Sequence, residues 1–212
     1  MKQELDDLKR QRLEKLNRIK ELGISPFAYE YSRSHLVEDV LAQYKENEID
    51  VSLAGRLMSI RRMGKASFAH LMDRTGRIQI YVKKDSVGDK CYDLFKLLDL
   101  GDVVGVKGSV FRTRMGEITV QVTELVLLSK TLRPLPIVKE KITDDEKILY
   151  DAFADKEMRY RQRYVDLLVN EGVRDVFIKR SQIVSAMRHH LEEKGYLEVE
   201  HNSLFLIQLF QF

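Results

Sequence analysis

From Val51 the chain alternates apolar and polar residues with a period of two, and it does so in five successive segments. Val51–Arg61, Ser67–Asp73, Arg77–Lys83, Asp102–Arg112 and Glu117–Ser129 read as strands. Turn signals set them apart: Arg74-Thr75-Gly76, Gly101-Asp102 and Met115-Gly116. The period lengthens to that of a helix once, over Tyr92 to Leu98, between the third and fourth strands.

Five strands with a helix between the third and fourth follow the order of the OB-fold, a small barrel whose open face takes oligonucleotides. SH3-like barrels also have about five strands, so the order alone leaves both open. Strand parity adds chemistry. In the third strand Ile78, Ile80 and Val82 share the inward face, which turns Arg77, Gln79, Tyr81 and Lys83 outwards together. An outward amide and aromatic flanked by cations suits the reading and stacking of unpaired bases. In the fifth strand Ile118, Val120 and Val122 point inwards, and Glu124 is next in that parity. A buried unpaired carboxylate costs several kcal/mol, so either a bulge turns Glu124 out or a partner satisfies it. Arg112 and Arg114 lie in the hairpin joining the last two strands, a loop that flanks the ligand in OB-folds.

Charge agrees with a polyanion partner without requiring one. From Gly55 to Lys84 eight lysines and arginines stand against one acid, Asp73, while the whole chain of 212 residues carries only +3. Such a surplus is either a polyanion-binding face or a solvated strand surface. The 44% apolar and 33% charged residues are those of a globular protein. The single cysteine, Cys91, excludes an intramolecular disulfide and fits a reducing, cytoplasmic setting. The N-terminus has no apolar signal region, and no stretch approaches the roughly 20 apolar residues of a membrane span.

Helices flank the barrel pattern. Residues 4–22 carry Leu5, Leu8, Leu13, Leu16, Ile19 and Leu22 on one stripe, ended by Gly23 and Pro26, and residues 36–46 suggest a short second helix. Leu132-Arg133-Pro134-Leu135-Pro136 is stiff and extended. A charged stretch, a helical segment near residues 155–167 and a long amphipathic helix, Val173 to Lys194, follow. The apolar stripe of that helix (Val176, Ile183, Met187, Leu191) calls for a second domain or a dimer partner to cover it.

The segments ELGISPF, AGRLMSIRRMGKASFAHLMDRTGRIQIYV, VTELVLLSKTLRPLP and MRYRQRYVDL, with the helix VFIKRSQIVSAMRHHLEEKGYLEVE, closely resemble the N-terminal part of bacterial class II lysine–tRNA ligases. RTGRIQ is shared with the aspartate and asparagine relatives; GKASF, LRPLP and RYRQRYVDL favour the lysine member. The resemblance implies an α+β chain with a mainly β core: N-terminal helices over 1–48, an anticodon-binding OB-fold over 49–130, a linker over 131–170, and the first class II motif over 171–200. It implies that Phe68 stacks on an anticodon base, and that Gln79 and Glu124 hydrogen-bond a uridine-rich anticodon. Arg61, Arg62 and Lys65 would make less specific backbone contacts. The partner implied is tRNA(Lys). The full-length family also implies a homodimer, ATP and magnesium, and ATP-dependent attachment of lysine to tRNA(Lys). The two later motifs that serve ATP, lysine and metal do not occur among these residues, and residues 201–212 depart from the family pattern, so a truncated chain without catalysis of its own is expected. The alternative expectation is a general single-strand-binding OB module.

Overall fold

A computed structural model describes residues 2–44, 50–136, 139–143, 146–150, 153–170 and 172–199. The expected tail, 201–212, lies outside them. The chain groups into two compact units, Met1–Leu135 and Pro136–Phe212.

The first unit is built on strands β1 (Asp50–Met63), β2 (Ala66–Met72), β3 (Arg77–Lys83), β4 (Val103–Arg112) and β5 (Ile118–Ser129). They close into a barrel in the order β1-β2-β3-β5-β4. All neighbours are antiparallel except β3 and β5, which run parallel and pair only over Gln79–Val82 and Thr119–Val122. Helices α1 (Lys2–Glu21) and α2 (Val37–Ala42) precede the barrel, and α3 (Lys84–Leu97) joins β3 to β4. Helix α3 starts earlier than the Tyr92–Leu98 pattern predicts because it consists of two helical segments that meet at a kink at Gly88, φ +79°. Only the part after the break has an apolar stripe, with Tyr92, Leu94 and Phe95 buried.

The barrel interior is filled as the alternation requires. Leu53, Leu57, Leu71, Ile78, Ile80, Val82, Val104, Val106, Val110, Val120, Val122 and Leu127 are buried, and Phe95 of α3 joins the same core cluster. Two bulges reset the alternation. Between Leu57 and Ser59 on β1 one extra residue turns Ser59 and Arg61 outwards, and between Val122 and Glu124 on β5 another turns Glu124 outwards. Gly108 lies opposite the second bulge, so close to β5 that a Cβ there would overlap the Gln121 carbonyl oxygen.

Helix α1 is fixed to the barrel by buried charge as well as by Leu16 and Ile19. The Lys130 ammonium, fully buried, contacts Asp99 at 2.6 Å and Asp102 at 2.7 Å. Lys15 of α1 reaches the other Asp99 oxygen at 2.5 Å. Arg12 donates to the carbonyls of Leu100, Thr131 and Arg133, and Asp102 accepts from the Thr131 and Asp99 amides. The start of the LRPLP segment is thereby held under α1. Burial alone would raise the Asp99 carboxyl, but hydrogen bonds from Lys130 and Lys15 hold it below the usual carboxylate range.

In the second unit β6 (Lys139–Thr143) and β7 (Glu146–Tyr150) form an antiparallel hairpin, where the sequence showed only charge. The expected single helix after it is two, α4 (Lys156–Arg161) and α5 (Arg163–Val169), followed by α6 (Val173–Glu193). The break falls at Gln162, and Asp166 explains its position. That buried carboxylate accepts from Arg159 at 2.8 Å, from Asn170 at 2.6 Å and from Arg163, tying both short helices together. On α6 the side chains of Val176, Ile183, Met187 and Leu191 are exposed.

Candidate nucleic-acid interface

The outer face of the barrel carries a row of side chains set by strand register. Ser59 on β1 pairs with His70 on β2, His70 with Gln79 on β3, Gln79 with Thr119 on β5, and Thr119 with Phe111 on β4. One residue from every strand therefore stands in this row. The adjacent outward row is Arg61, Phe68, Tyr81 and Gln121.

Hydrogen bonds join the first row into a chain. The Ser59 hydroxyl lies 2.7 Å from His70 Nδ1, and His70 Nε2 lies 3.0 Å from Glu117 Oε1. Gln79 Nε2 donates to Glu117 Oε2 at 2.6 Å, and the Thr119 hydroxyl donates to Gln79 Oε1 at 2.8 Å. The amide of Gln79 is thus held from both ends while it remains half-buried at the surface. Each amide end keeps capacity for one further hydrogen bond, a donor on Nε2 and an acceptor on Oε1.

Aromatic rings flank this amide. Phe68 and Tyr81 are cross-strand partners with ring centroids 4.9 Å apart and planes inclined by 37°, and Phe111 meets Tyr81 edge-on at 6.3 Å. Three partly exposed rings beside a fixed amide make a surface on which unpaired bases can stack while one edge is read.

The expected basic residues divide. Arg61 is exposed in the row of Phe68 and Tyr81, and Lys65 is exposed after the β1–β2 turn at Gly64. Arg114 is exposed in the β4–β5 hairpin, and Arg112 lies over the Tyr44 ring with its guanidinium carbon 5.1 Å from the centroid. Arg62 is engaged elsewhere: it donates to the carbonyls of Lys96 and Leu98 and so caps the end of α3.

Phe68 and Gln79 come together, but Glu124 does not join them. It sits beyond the end of the β3–β5 pairing, roughly 13–16 Å along β5 from Thr119. There the bulge turns it outwards onto Lys107, at 2.8 Å, and that hydrogen bond holds the lysine above its ordinary range. The two solutions open in the sequence, a bulge and a partner, are both present. The carboxylate that meets Gln79 is Glu117. Its parity with Thr119 and Gln121 was the one sequence sign that it faces outwards. Phe111 and His70 share that outward alternation on their own strands.

Comparison with known proteins agrees with this architecture. The model of an OB-fold nucleic acid binding domain of the tRNA anticodon type matches residues 51–128. The model of the class II tRNA synthetases of the D, K and N group matches residues 155–207. The chain therefore carries an anticodon-type OB-fold domain followed by part of a class II tRNA synthetase domain. It is homologous to lysine--tRNA ligase: the protein of that name from Bacillus subtilis (strain 168) is 47% identical over 206 residues. The alignment covers 93% of this chain and 39% of the relative, so the chain spans about two fifths of that protein's length.

The family implies use of ATP and a metal. Among the described residues no group of three or more His, Cys, Asp or Glu side chains gathers to hold a metal ion. Nor is any helix among them long and apolar enough to cross a membrane.

Proposed function

We propose that this chain reads the anticodon of tRNA(Lys) on the outer face of its barrel, as part of a lysine–tRNA ligase of the cytoplasm. The observation that carries the reading is the Gln79 amide, clamped between Thr119 and Glu117 beside the Phe68–Tyr81 pair. Phe68 stacks on an anticodon base, and Gln79 hydrogen-bonds the Watson–Crick edge of a uridine with Glu117 holding it in place. Arg61, Lys65 and Arg114 attract the phosphate backbone, with Arg112 secondary because Tyr44 already occupies its guanidinium. Glu124, paired with Lys107 at the far end of β5, is assigned a structural role.

The reaction served is the family's ATP-dependent attachment of lysine to tRNA(Lys), with magnesium. The exposed apolar stripe of α6 supports burial against a second copy in a homodimer. The test is competition binding: an anticodon stem–loop of lysine tRNA should displace a labelled copy, and the same loop with cytidines in place of its uridines should displace it poorly. Equal displacement by both, and by an unrelated single strand, would instead identify a general single-strand-binding module.

A further inference from the structure

We propose that His70 sets the uridine preference of this face as a positioning residue acting through Glu117; the inference rests on the anticodon reading above. A primary amide has nearly the same shape after a half-turn that exchanges its oxygen and nitrogen. In one orientation it offers its donor and acceptor to the O4 and N3–H of uracil. In the other it matches the N3 and N4–H2 of cytosine. Gln79 distinguishes the two bases only if something outside the ligand fixes that half-turn.

Glu117 supplies the fixing group. Its carboxylate has acceptors only, so it holds the NH2 end of Gln79 and disfavours the reversed amide. Thr119 cannot do this alone, because a hydroxyl can donate to the oxygen or accept from the nitrogen. Yet the Glu117 side chain is 47% exposed at the mouth of the β4–β5 hairpin, with several rotatable bonds to leave free. His70 is what holds its second oxygen, at 3.0 Å. Glu117 can only accept, so His70 donates its Nε2–H to it, while the Ser59 hydroxyl holds the ring at Nδ1. The carboxylate thereby orders three bonds: His70 to Glu117, Gln79 to Glu117, and Thr119 to Gln79. The bulge that turns Ser59 outwards is what begins the chain.

The experiment measures equilibrium binding of the full chain to two anticodon stem–loops that differ by one uridine-to-cytidine change. His70→Ala should reduce the ratio of the two affinities roughly tenfold or more, the scale of one hydrogen bond to a charged group. Most of that loss should fall on the uridine loop. His70→Gln, whose amide N–H still reaches Glu117, should keep the ratio within about twofold, and Ser59→Ala should lose less than His70→Ala. A His70→Ala chain that weakens both loops equally, or keeps the ratio while Gln79→Ala abolishes it, overturns the role of His70 and leaves the anticodon reading standing. If Gln79→Ala and Phe68→Ala also leave both affinities unchanged, the anticodon reading itself falls.

Discussion

Gln79 and Glu117 are 38 residues apart in sequence and meet at 2.6 Å where the parallel pairing of β3 and β5 begins. The pair should act as a unit. Gln79→Ala and Glu117→Ala should each lower discrimination between uridine and cytidine loops, and the double substitution should cost less than their sum, with a coupling of about 0.5–3 kcal/mol. Glu124→Ala should leave discrimination unchanged. A filter-binding panel of the four variants decides the point.

Phe68→Ala removes one stacking surface and the contact of that ring with Tyr81. Stem–loop binding should weaken by about 1–3 kcal/mol, the usual value of one stacked base. Loss should be similar for uridine and cytidine loops, because every base has a π-face. Titration of a fluorescent loop reads both.

Lys130→Met should be among the most damaging substitutions in the first unit. It leaves Asp99 and Asp102 facing each other without the ammonium buried between them. Removing one member of such a group costs about 3–5 kcal/mol, and urea denaturation should show the loss. Asp102→Asn combined with Lys130→Met should recover part of it.

Acid should act on the same place. The Asp99 carboxyl is depressed in the folded chain, so its contribution to stability is complete above the ordinary aspartate value of about 3.9 and is lost as pH falls through the lower folded value. Asp73 is depressed too: burial opposes this, but the amides of Val37, Thr75 and Gly76 and the Thr75 hydroxyl prevail. The urea midpoint should therefore fall steeply below about pH 4, and Asp99→Asn should make the curve shallower while lowering its neutral plateau.

Gly108→Ala should destabilise the barrel by about 1–3 kcal/mol or more, because the added methyl meets the Gln121 carbonyl rather than a side chain that can move aside. Thermal melting checks it.

Much of the barrel was legible because each strand follows one rule. Inward Ile78, Ile80 and Val82 are buried as alternation predicts, and Arg77–Lys83 is the same segment in sequence and structure. Alternation fails where a residue is inserted. Ser59 and Glu124 both carry inward parity by counting and both face outwards, since a bulge leaves no mark in the pattern of apolar residues. Partners across the β3–β5 seam were illegible for another reason. A parallel pairing between strands joined through a helix and a further strand has no turn to set its register, so nothing in the sequence placed Glu117 beside Gln79 and His70. The β6–β7 hairpin was missed because Lys139 to Lys147 is charged almost throughout.

The seam of the barrel is short, four residue pairs between β3 and β5, and it joins segments about forty positions apart. Strands β1 to β3 can form a meander as soon as they are made, carrying Ser59, His70, Phe68, Gln79 and Tyr81. Glu117, Thr119 and Phe111 reach them only when the seam zips. A partly folded chain would thus present rings able to stack on any base but no fixed amide to tell one base from another. Selectivity on this surface is thus a product of ring closure.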